Sequence, residues 1–337
     1  MIKDVIEKLV LGETISREEA AASMSEIMTG TASDAQIGAF IVALRLRGET
    51  AEIIAGCAEV MRKNATPIRC EDPDAIDIVG TGGDGAHTFN ISTTAAFVAA
   101  GAGATVAKHG SYGVSSKCGS ANVLSELGVN LKYTPEKMEQ CLEELGIAFL
   151  FAPALHPAMK HAVGPRRELG IWSLFNILGP LCNPAGVKNG ILGVFSASLV
   201  PLVSDACAQL GMNHQFIVHG NDGLDEFTTT STNMVVEIQG EKQLSYEVDP
   251  QKLGLSLASS GDLLGGDPAE NAVITRHLLE GKERGFKREV VLLNAAFALV
   301  AAGRASNPEE GLLQAAESID SGSALAKLDA FVRLSNK

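Results

Sequence analysis

Residues 75–85 read AIDIVGTGGDG, and a run of similar character, ATVAKHG, follows at residues 104–110. Each is a short apolar segment that ends in glycine, which is typical of a buried strand. Residues 92–103 between them, STTAAFVAAGAG, have the composition of a buried helix. A strand, a helix and a second strand in this order predict an α/β unit built on a parallel sheet.

The same alternation continues along the chain after this unit. Further strands are predicted at residues 147–152, 190–195, 215–220 and 233–238, with helical segments such as 134–146 and 200–211 between some of them. From about residue 267 the pattern is again helical. The predicted fold class is therefore α/β, with a central, mostly parallel sheet flanked by helices in a large domain that covers residues 75–337.

The first 65 residues predict a small, all-helical domain. Ser16 with Glu19, and Ser33 with Gln36, form the sequence pattern of a capping box at the start of a helix. Residues 64–75, NATPIRCEDPDA, are polar, contain two prolines and lack a period, so we interpret them as a linker or hinge between the two domains.

Composition excludes several classes of protein. The chain has 337 residues, with 27 lysines and arginines against 40 aspartates and glutamates, so its formal charge is −13. This acidity argues against nucleic acid or an anionic membrane as the partner. Six widely spaced cysteines without a C-x-x-C pair predict free thiols in a reducing cytoplasm. We also expect no signal peptide and no membrane span.

Glycine is enriched, at 35 residues, and much of the excess lies between residues 80 and 120. GTGGDG at 80–85 follows a strand, and NIST at 90–93 opens a helix, so backbone amides and a helix N-terminus could bind a phosphate. The loop is neither a Walker loop nor G-x-G-x-x-G, and a plain turn is the alternative. A second loop at 107–120 carries Lys108 and His109, which could serve the same anion or be incidental.

Two further motifs could complete such a site. Asp225 and Glu226 follow a predicted strand, and paired carboxylates suit Mg²⁺ when phosphate oxygens supply other ligands. Arg166 and Arg167 could hold a carboxylate or phosphate in bidentate fashion. The alternatives are an acidic turn for the first pair and surface salt bridges for the second.

Taken together, these motifs resemble the anthranilate phosphoribosyltransferases, which have the nucleoside-phosphorylase-like phosphoribosyltransferase fold. The resemblance runs from the first helices to about residue 330. It rests on GTGGD at 80–84, TFNIST at 88–93, KHG at 108–110, FAPALHPAMKH at 151–161, RRELGI at 166–171, FNILGPLCNPA at 175–185, DGLDE at 222–226 and SIDSGSALAKL at 318–328.

The resemblance implies a homodimer that uses Mg²⁺, 5-phosphoribosyl-1-diphosphate and anthranilate, in tryptophan biosynthesis. It also implies that the segment around 165–185 completes the helical domain. The residues that it places at the phosphoribosyl diphosphate are Gly80, Gly83, Asp84, Thr88, Asn90, Ile91, Ser92, Thr93, Lys108, His109, Gly110, Ser115, Ser116 and Ser120. Those that it places at the metal are Ser92, Asp225 and Glu226. Those that it places at anthranilate are Gly80, Ser111 and Arg166.

Within this resemblance, Lys108 is expected to stabilise the departing diphosphate, and Asp84 to order the glycine loop or a metal-bound water. The chain departs from the family pattern where Ser111 and Tyr112 replace the usual Asn-Arg, where Asn122 replaces Asp and where Trp172 replaces Arg. Two alternatives stay open: an enzyme like the pyrimidine nucleoside phosphorylases, and a non-enzymatic paralogue that binds nucleic acid.

Overall fold

The computed structural model describes residues 1–113 and 117–337, so the predicted binding residues Ser115 and Ser116 lie outside the described part. Four short helices open the chain: α1 (Ile2–Leu11), α2 (Arg17–Met28), α3 (Asp34–Arg47) and α4 (Ala51–Lys63). Both predicted capping boxes are present, because the Ser16 and Ser33 side chains accept the Glu19 and Gln36 amides. Satisfying these free amides sets where α2 and α3 begin.

A seven-stranded sheet forms the centre of the second part of the chain. Its strands are β1 (Ile76–Gly80), β2 (Val106–Gly110), β3 (Ile147–Phe151), β4 (Asn189–Gly193), β5 (His214–Gly220), β6 (Asn233–Gln239) and β7 (Lys242–Val248), in the spatial order β3-β2-β1-β4-β5-β6-β7. Neighbours from β3 to β5 are parallel, whereas β5, β6 and β7 pair antiparallel. The predicted mostly parallel sheet is confirmed.

The edge strand β7 was not predicted from the sequence. Its residues, KQLSYEV, are mostly exposed, so they lack the apolar run by which the other strands are recognised. The hairpin with β6 turns at Gly240, whose φ of +60° favours glycine. Pairing with β6, rather than burial, therefore makes this segment a strand.

Helices cover both faces of the sheet. They are α5 (Ile91–Gly101), α6 (Ser120–Glu126), α7 (Pro135–Leu145), α8 (Ala152–Leu155), α9 (Lys160–Leu169), α10 (Leu174–Leu181), α11 (Leu199–Gln209), α12 (Pro268–Leu279), α13 (Phe286–Ala301), α14 (Pro308–Asp320) and α15 (Ser323–Ser335). Short 3₁₀ helices lie at Pro157–Met159, Pro250–Leu253 and Ser260–Leu263. Over residues 1–113 and 117–337, no helix combines the length and the apolar character needed to cross a membrane.

The buried apolar side chains form two separate cores. One surrounds α5 and α13 and one face of the sheet. The other joins the side chains of α1–α4 to those of α10, α11 and the opposite face of the sheet, including Phe175, Leu178 and Leu181 from α10. Helices α9 and α10, although they follow β3 in the chain, therefore pack on the N-terminal helices. The cleft between the two parts opens where these helices pass the sheet.

Candidate active site

A cleft of about 730 Å³ lies at the carboxyl ends of β1 and β2, beside the N-terminus of α5. This is the end of a parallel sheet at which ligands bind in open α/β folds. Fifteen of the predicted site residues line it: Gly80, Gly83, Asp84, Thr88, Asn90, Ser92, Thr93, Lys108, His109, Gly110, Ser111, Ser120, Arg166, Asp225 and Glu226. Ile91 is different, since its side chain is fully buried in the core and its amide donates to the Phe89 carbonyl. The structure places no part of Ile91 at the cleft surface.

The glycine loop after β1 closes over a carboxylate from a distant part of the chain. The amide of Gly82 donates to Oδ2 of Asp225 at 2.6 Å. Gly82 and Gly83 have φ angles of +67° and +95°, which turn the backbone as only glycine does readily. A Cβ on Gly80 would lie in contact with the same Asp225 carboxylate. The loop therefore needs its glycines for a close backbone approach.

Lys108 extends from β2 towards the end of β1. Its Nζ donates to the Ile78 carbonyl at 2.5 Å and lies 3.5 Å from the Ser92 hydroxyl at the start of α5. Burial lowers the pKa of Lys108, while the carboxylates of Asp77 and Glu226 act in the opposite direction. Lys108 therefore brings a buried cation to the helix N-terminus, where an anion would also meet free amides.

Carboxylates gather opposite Lys108. Oε1 of Glu226 accepts the Ser92 amide at 3.3 Å. Burial raises the pKa of Glu226 to about 7, with Lys108 and Ser92 opposing that rise. Burial, followed by the nearby Asp84 and Glu226 charges, holds the pKa of Asp225 well above its usual range. Buried like charges of this kind are relieved by a cation.

The donor chemistry here fits Mg²⁺, which takes one or two carboxylates and completes its shell with water or phosphate oxygens. Within the described ranges, no group of three or more His, Cys, Asp or Glu side chains is arranged to hold a metal by itself. Ser92, Asp225 and Glu226 could therefore contribute part of a coordination shell, with a bound anion supplying the rest.

The cleft is also lined by Arg166 and by two histidines, His109 and His156. The Arg166 guanidinium lies 5.0 Å above the Phe175 ring, and in the described part of the chain no carboxylate reaches ion-pair distance of it. Arg167 beside it is exposed. The Arg166 charge is therefore available to an anionic group that enters the cleft.

Sequence reasoning did not assign some residues that the structure brings to the site. His156 lines the cleft, and its Nε2 lies 3.2 Å from Nε2 of His109. Asp77 lies directly beneath Lys108 and is 5% exposed. The lone carboxylate inside the apolar run AIDIVG was a signal that could have identified Asp77.

Comparison with known proteins places this cleft in a family. The helical bundle domain of the glycosyl transferase family matches residues 3–65, and the a/b domain of that family matches residues 72–325. The anthranilate phosphoribosyltransferase of Geobacter sulfurreducens is 50% identical over all of both chains. That of Anaeromyxobacter dehalogenans is 53% identical over 97% of both chains.

The chain belongs to the anthranilate phosphoribosyltransferase family. Among solved structures, the anthranilate phosphoribosyltransferase of Thermus thermophilus is 42% identical, with a TM-score of 0.94 over 99% of this chain and 100% of that one. The Saccharomyces cerevisiae enzyme in complex with PRPP and Mg is 30% identical, with a TM-score of 0.92 over 99% and 98%. The predicted family and fold class are confirmed, as is the assignment to the glycosyltransferases.

Proposed function

We propose that this protein transfers the phosphoribosyl group of 5-phosphoribosyl-1-diphosphate to the amino group of anthranilate, in tryptophan biosynthesis. The products are N-(5-phosphoribosyl)anthranilate and diphosphate. The observation that carries the proposal is the full-length relationship to anthranilate phosphoribosyltransferases at about 50% identity. The cleft supports it, because a glycine loop, a buried lysine, paired carboxylates and Arg166 all line it.

Mg²⁺ would be held by Ser92, Asp225 and Glu226, and when bound it neutralises charge on the diphosphate. This assignment is supported by the buried carboxylates described above and by the Saccharomyces cerevisiae relative, which was solved with PRPP and Mg. Gly80 and Gly83 of the glycine loop line the same cleft, and we assign them to binding the diphosphate. Asp84 lies close enough to raise the pKa of Asp225, and we assign it to ordering the loop or a metal-bound water.

Lys108 assists departure of the leaving group. As the bond between ribose C1 and the diphosphate breaks, negative charge grows on the diphosphate and positive charge grows on the ribose ring. A buried ammonium beside the Ser92 hydroxyl stabilises the leaving anion more strongly than a solvated one would. Thr88, Asn90, Thr93 and Ser120 line the same cleft and supply polar contacts to the phosphoribosyl group.

Arg166 orients the acceptor. Its guanidinium would bind the anthranilate carboxylate and turn the amino nitrogen towards C1, an effect of position rather than of proton transfer. Gly80 and Ser111 also line the cleft, and we assign them to the anthranilate. An aromatic amine loses its proton readily once bonded to carbon, so we assign no general base.

A direct assay tests this function. The protein, Mg²⁺, phosphoribosyl diphosphate and anthranilate are mixed, and anthranilate fluorescence is expected to fall only when the donor is present. Consumption of substituted anthranilates alone would assign a different acceptor. Phosphorolysis of uridine or thymidine would favour the nucleoside phosphorylase alternative. A salt-dependent shift of DNA would favour the nucleic-acid-binding alternative.

We also propose a homodimer formed through the helical part of the chain. Val10, Leu11 and Leu46 are 73%, 69% and 80% exposed. Leu11 and Leu46 directly precede Gly12 and Arg47, whose carbonyl and guanidinium are joined by a 2.7 Å hydrogen bond. Exposed apolar side chains grouped on one face favour association. Leu46→Glu is expected to give a monomer in sedimentation velocity, and Leu313→Glu, at an equally exposed site on α14, to leave the dimer intact.

The domain organisation and location complete the proposal. We propose a helical domain of residues 1–65 completed by about 165–185, a hinge at 64–75 and a phosphoribosyl-diphosphate-binding domain at 75–337. The shared core of α1–α4 and α10 supports it. Among the described residues, none of the six cysteines is joined in a disulfide, which agrees with a cytoplasmic enzyme.

A further inference from the structure

The backbone hydrogen bonding of the sheet is interrupted between β1 and β2, the two strands whose carboxyl ends meet at the cleft. We call this interruption the gap. β1 pairs with β4 at five positions, and β2 pairs with β3 at five positions, but the register between β1 and β2 consists of the single pair Ile76↔Val106. Beyond that pair β1 and β2 remain neighbours in the sheet, but no further backbone pair joins them on the way to the cleft. Lys108 lies in β2 along this gap, and the glycine loop begins at the end of β1.

Side chains take over the hydrogen bonds that the missing pairing leaves free. In a continued parallel ladder, Ile78 would bond to Ala107 and His109. Instead, the Asp77 carboxylate accepts the His109 amide at 3.1 Å, and Nδ2 of Asn183 donates to the Ala107 carbonyl at 2.8 Å. Lys108 Nζ donates to the Ile78 carbonyl. Buried backbone groups need such partners, so the gap is closed by side chains.

Asp77 and Asn183 act as one unit in this arrangement. Nδ2 of Asn183 donates to Oδ2 of Asp77 at 2.8 Å, and its Oδ1 accepts the Ala185 amide at 2.9 Å. Both side chains are buried, at 5% and 7% exposure. Asn183 follows α10, the helix that packs on the N-terminal helices. The pair therefore ties the returning chain to the sheet directly beneath Lys108.

The gap determines where the lysine points. In a regular strand, successive side chains stand perpendicular to the sheet. With β1 and β2 unpaired here, the Lys108 side chain can turn towards β1, where its ammonium meets the Ile78 carbonyl and lies 3.5 Å from the Ser92 hydroxyl. If β1 and β2 paired directly, the Ile78 carbonyl would accept a backbone amide of β2 and would no longer be available to the Lys108 ammonium.

We infer that Asp77 and Asn183 are positioning residues for phosphoribosyl transfer, which keep the gap open so that Lys108 reaches the departing diphosphate. This inference rests on the proposed function. Neither residue lines the cleft, so they act through Lys108 and His109 rather than on the substrate.

The test compares Asp77→Asn with the wild-type enzyme in steady-state kinetics. In the variant, one of the two accepting oxygens becomes an NH2 donor, so either the His109 amide or the Asn183 side chain loses its acceptor. We expect kcat to fall by about 10–100-fold, as small displacements of catalytic groups produce, with the anthranilate KM within about twofold of wild type. Asn183→Ala breaks the same pair from the other side and should give the same pattern if the first variant folds poorly.

A matched control separates positioning from stability. Asn189→Ala removes an equally buried amide at the opposite end of the sheet, where it bonds to Pro73 and Ala75. It should lower the melting temperature and leave kcat unchanged.

Some results would overturn the inference. The first is an unchanged kcat in Asp77→Asn. The second is a fall in kcat in Asn189→Ala as large as that in Asp77→Asn, when the two variants lose the same amount of stability. Wild-type protein without transferase activity would instead contradict the proposed function, because the comparison begins from wild-type turnover.

Discussion

Oδ2 of Asp225 lies 2.6 Å from the amide nitrogen of Gly82, so one carboxylate holds the glycine loop although 143 residues separate the two. Gly80 lies against the same carboxylate, where an added Cβ would clash with it. Loop and carboxylate are therefore one structural unit, and a change in either should alter both.

Gly80→Ala is expected to displace Asp225 and to lower kcat by at least about tenfold, since a displacement of 1 Å near reacting groups can cost 100-fold. The control is Gly38→Ala within α3, where no atom lies within 4 Å of the new Cβ. That change should stabilise the helix by about 0.5–1 kcal/mol. Kinetics and thermal unfolding measure both effects, and normal turnover in Gly80→Ala would contradict the close contact.

Asp225→Asn combined with Glu226→Gln should abolish most of the Mg²⁺-dependent turnover. The protein should stay folded, and its melting temperature without metal should equal or exceed that of wild type, because two buried like charges are removed. Turnover against Mg²⁺ concentration and thermal unfolding in EDTA measure the two outcomes. Unchanged kinetics would remove Asp225 and Glu226 from the metal site.

Arg166→Ala should raise the anthranilate KM by about 10–100-fold, the usual effect of losing a hydrogen bond to a charged group. The KM of the phosphoribosyl donor should change by less than about twofold. Arg167→Ala, at the exposed neighbouring position, is the control and should leave both values unchanged. Equal increases for the two substrates would contradict the acceptor role.

The His109–His156 pair should make stability depend on pH. Burial, and then the neighbouring histidine, lowers the pKa of His109 to about 3. Burial lowers that of His156 to about 4, with the Cys182 backbone partly opposing it. The unfolded chain, with histidine pKa values near 6.5, binds more protons than the folded protein between pH 4 and 6.5. Stability should therefore fall as the pH drops through this range.

Comparison with His156→Gln isolates this effect from other titrating groups. Between pH 7 and pH 5, wild type should lose about 2 kcal/mol more unfolding free energy than the variant, because the variant has no histidine at 156 to protonate on unfolding. Urea unfolding at several pH values measures this difference. Parallel pH profiles would show that His156 is not held neutral by burial.

Local signals in the sequence predicted much of the fold. Strands with apolar runs that end in glycine, such as β1 and β2, were found because burial imposes that composition. Capping boxes at Ser16 and Ser33 were found because they involve residues only three positions apart. β7 was missed because an exposed edge strand needs no apolar run. The side chain of Ile91, a predicted binding residue, is buried in the core. Proximity to a motif in the sequence does not show which way a side chain points.

By itself, the sequence determined the family, the class of fold and the positions of the loops that carry the site, because these depend on contiguous motifs. Only the tertiary structure decided which separated groups meet: Asp225 with Gly82, His109 with His156, and Asp77 with Asn183. The physical reason is that such pairs form only once the sheet order brings distant strand ends together. Their burial then shifts pKa values and demands hydrogen-bond partners, and no local pattern records either effect.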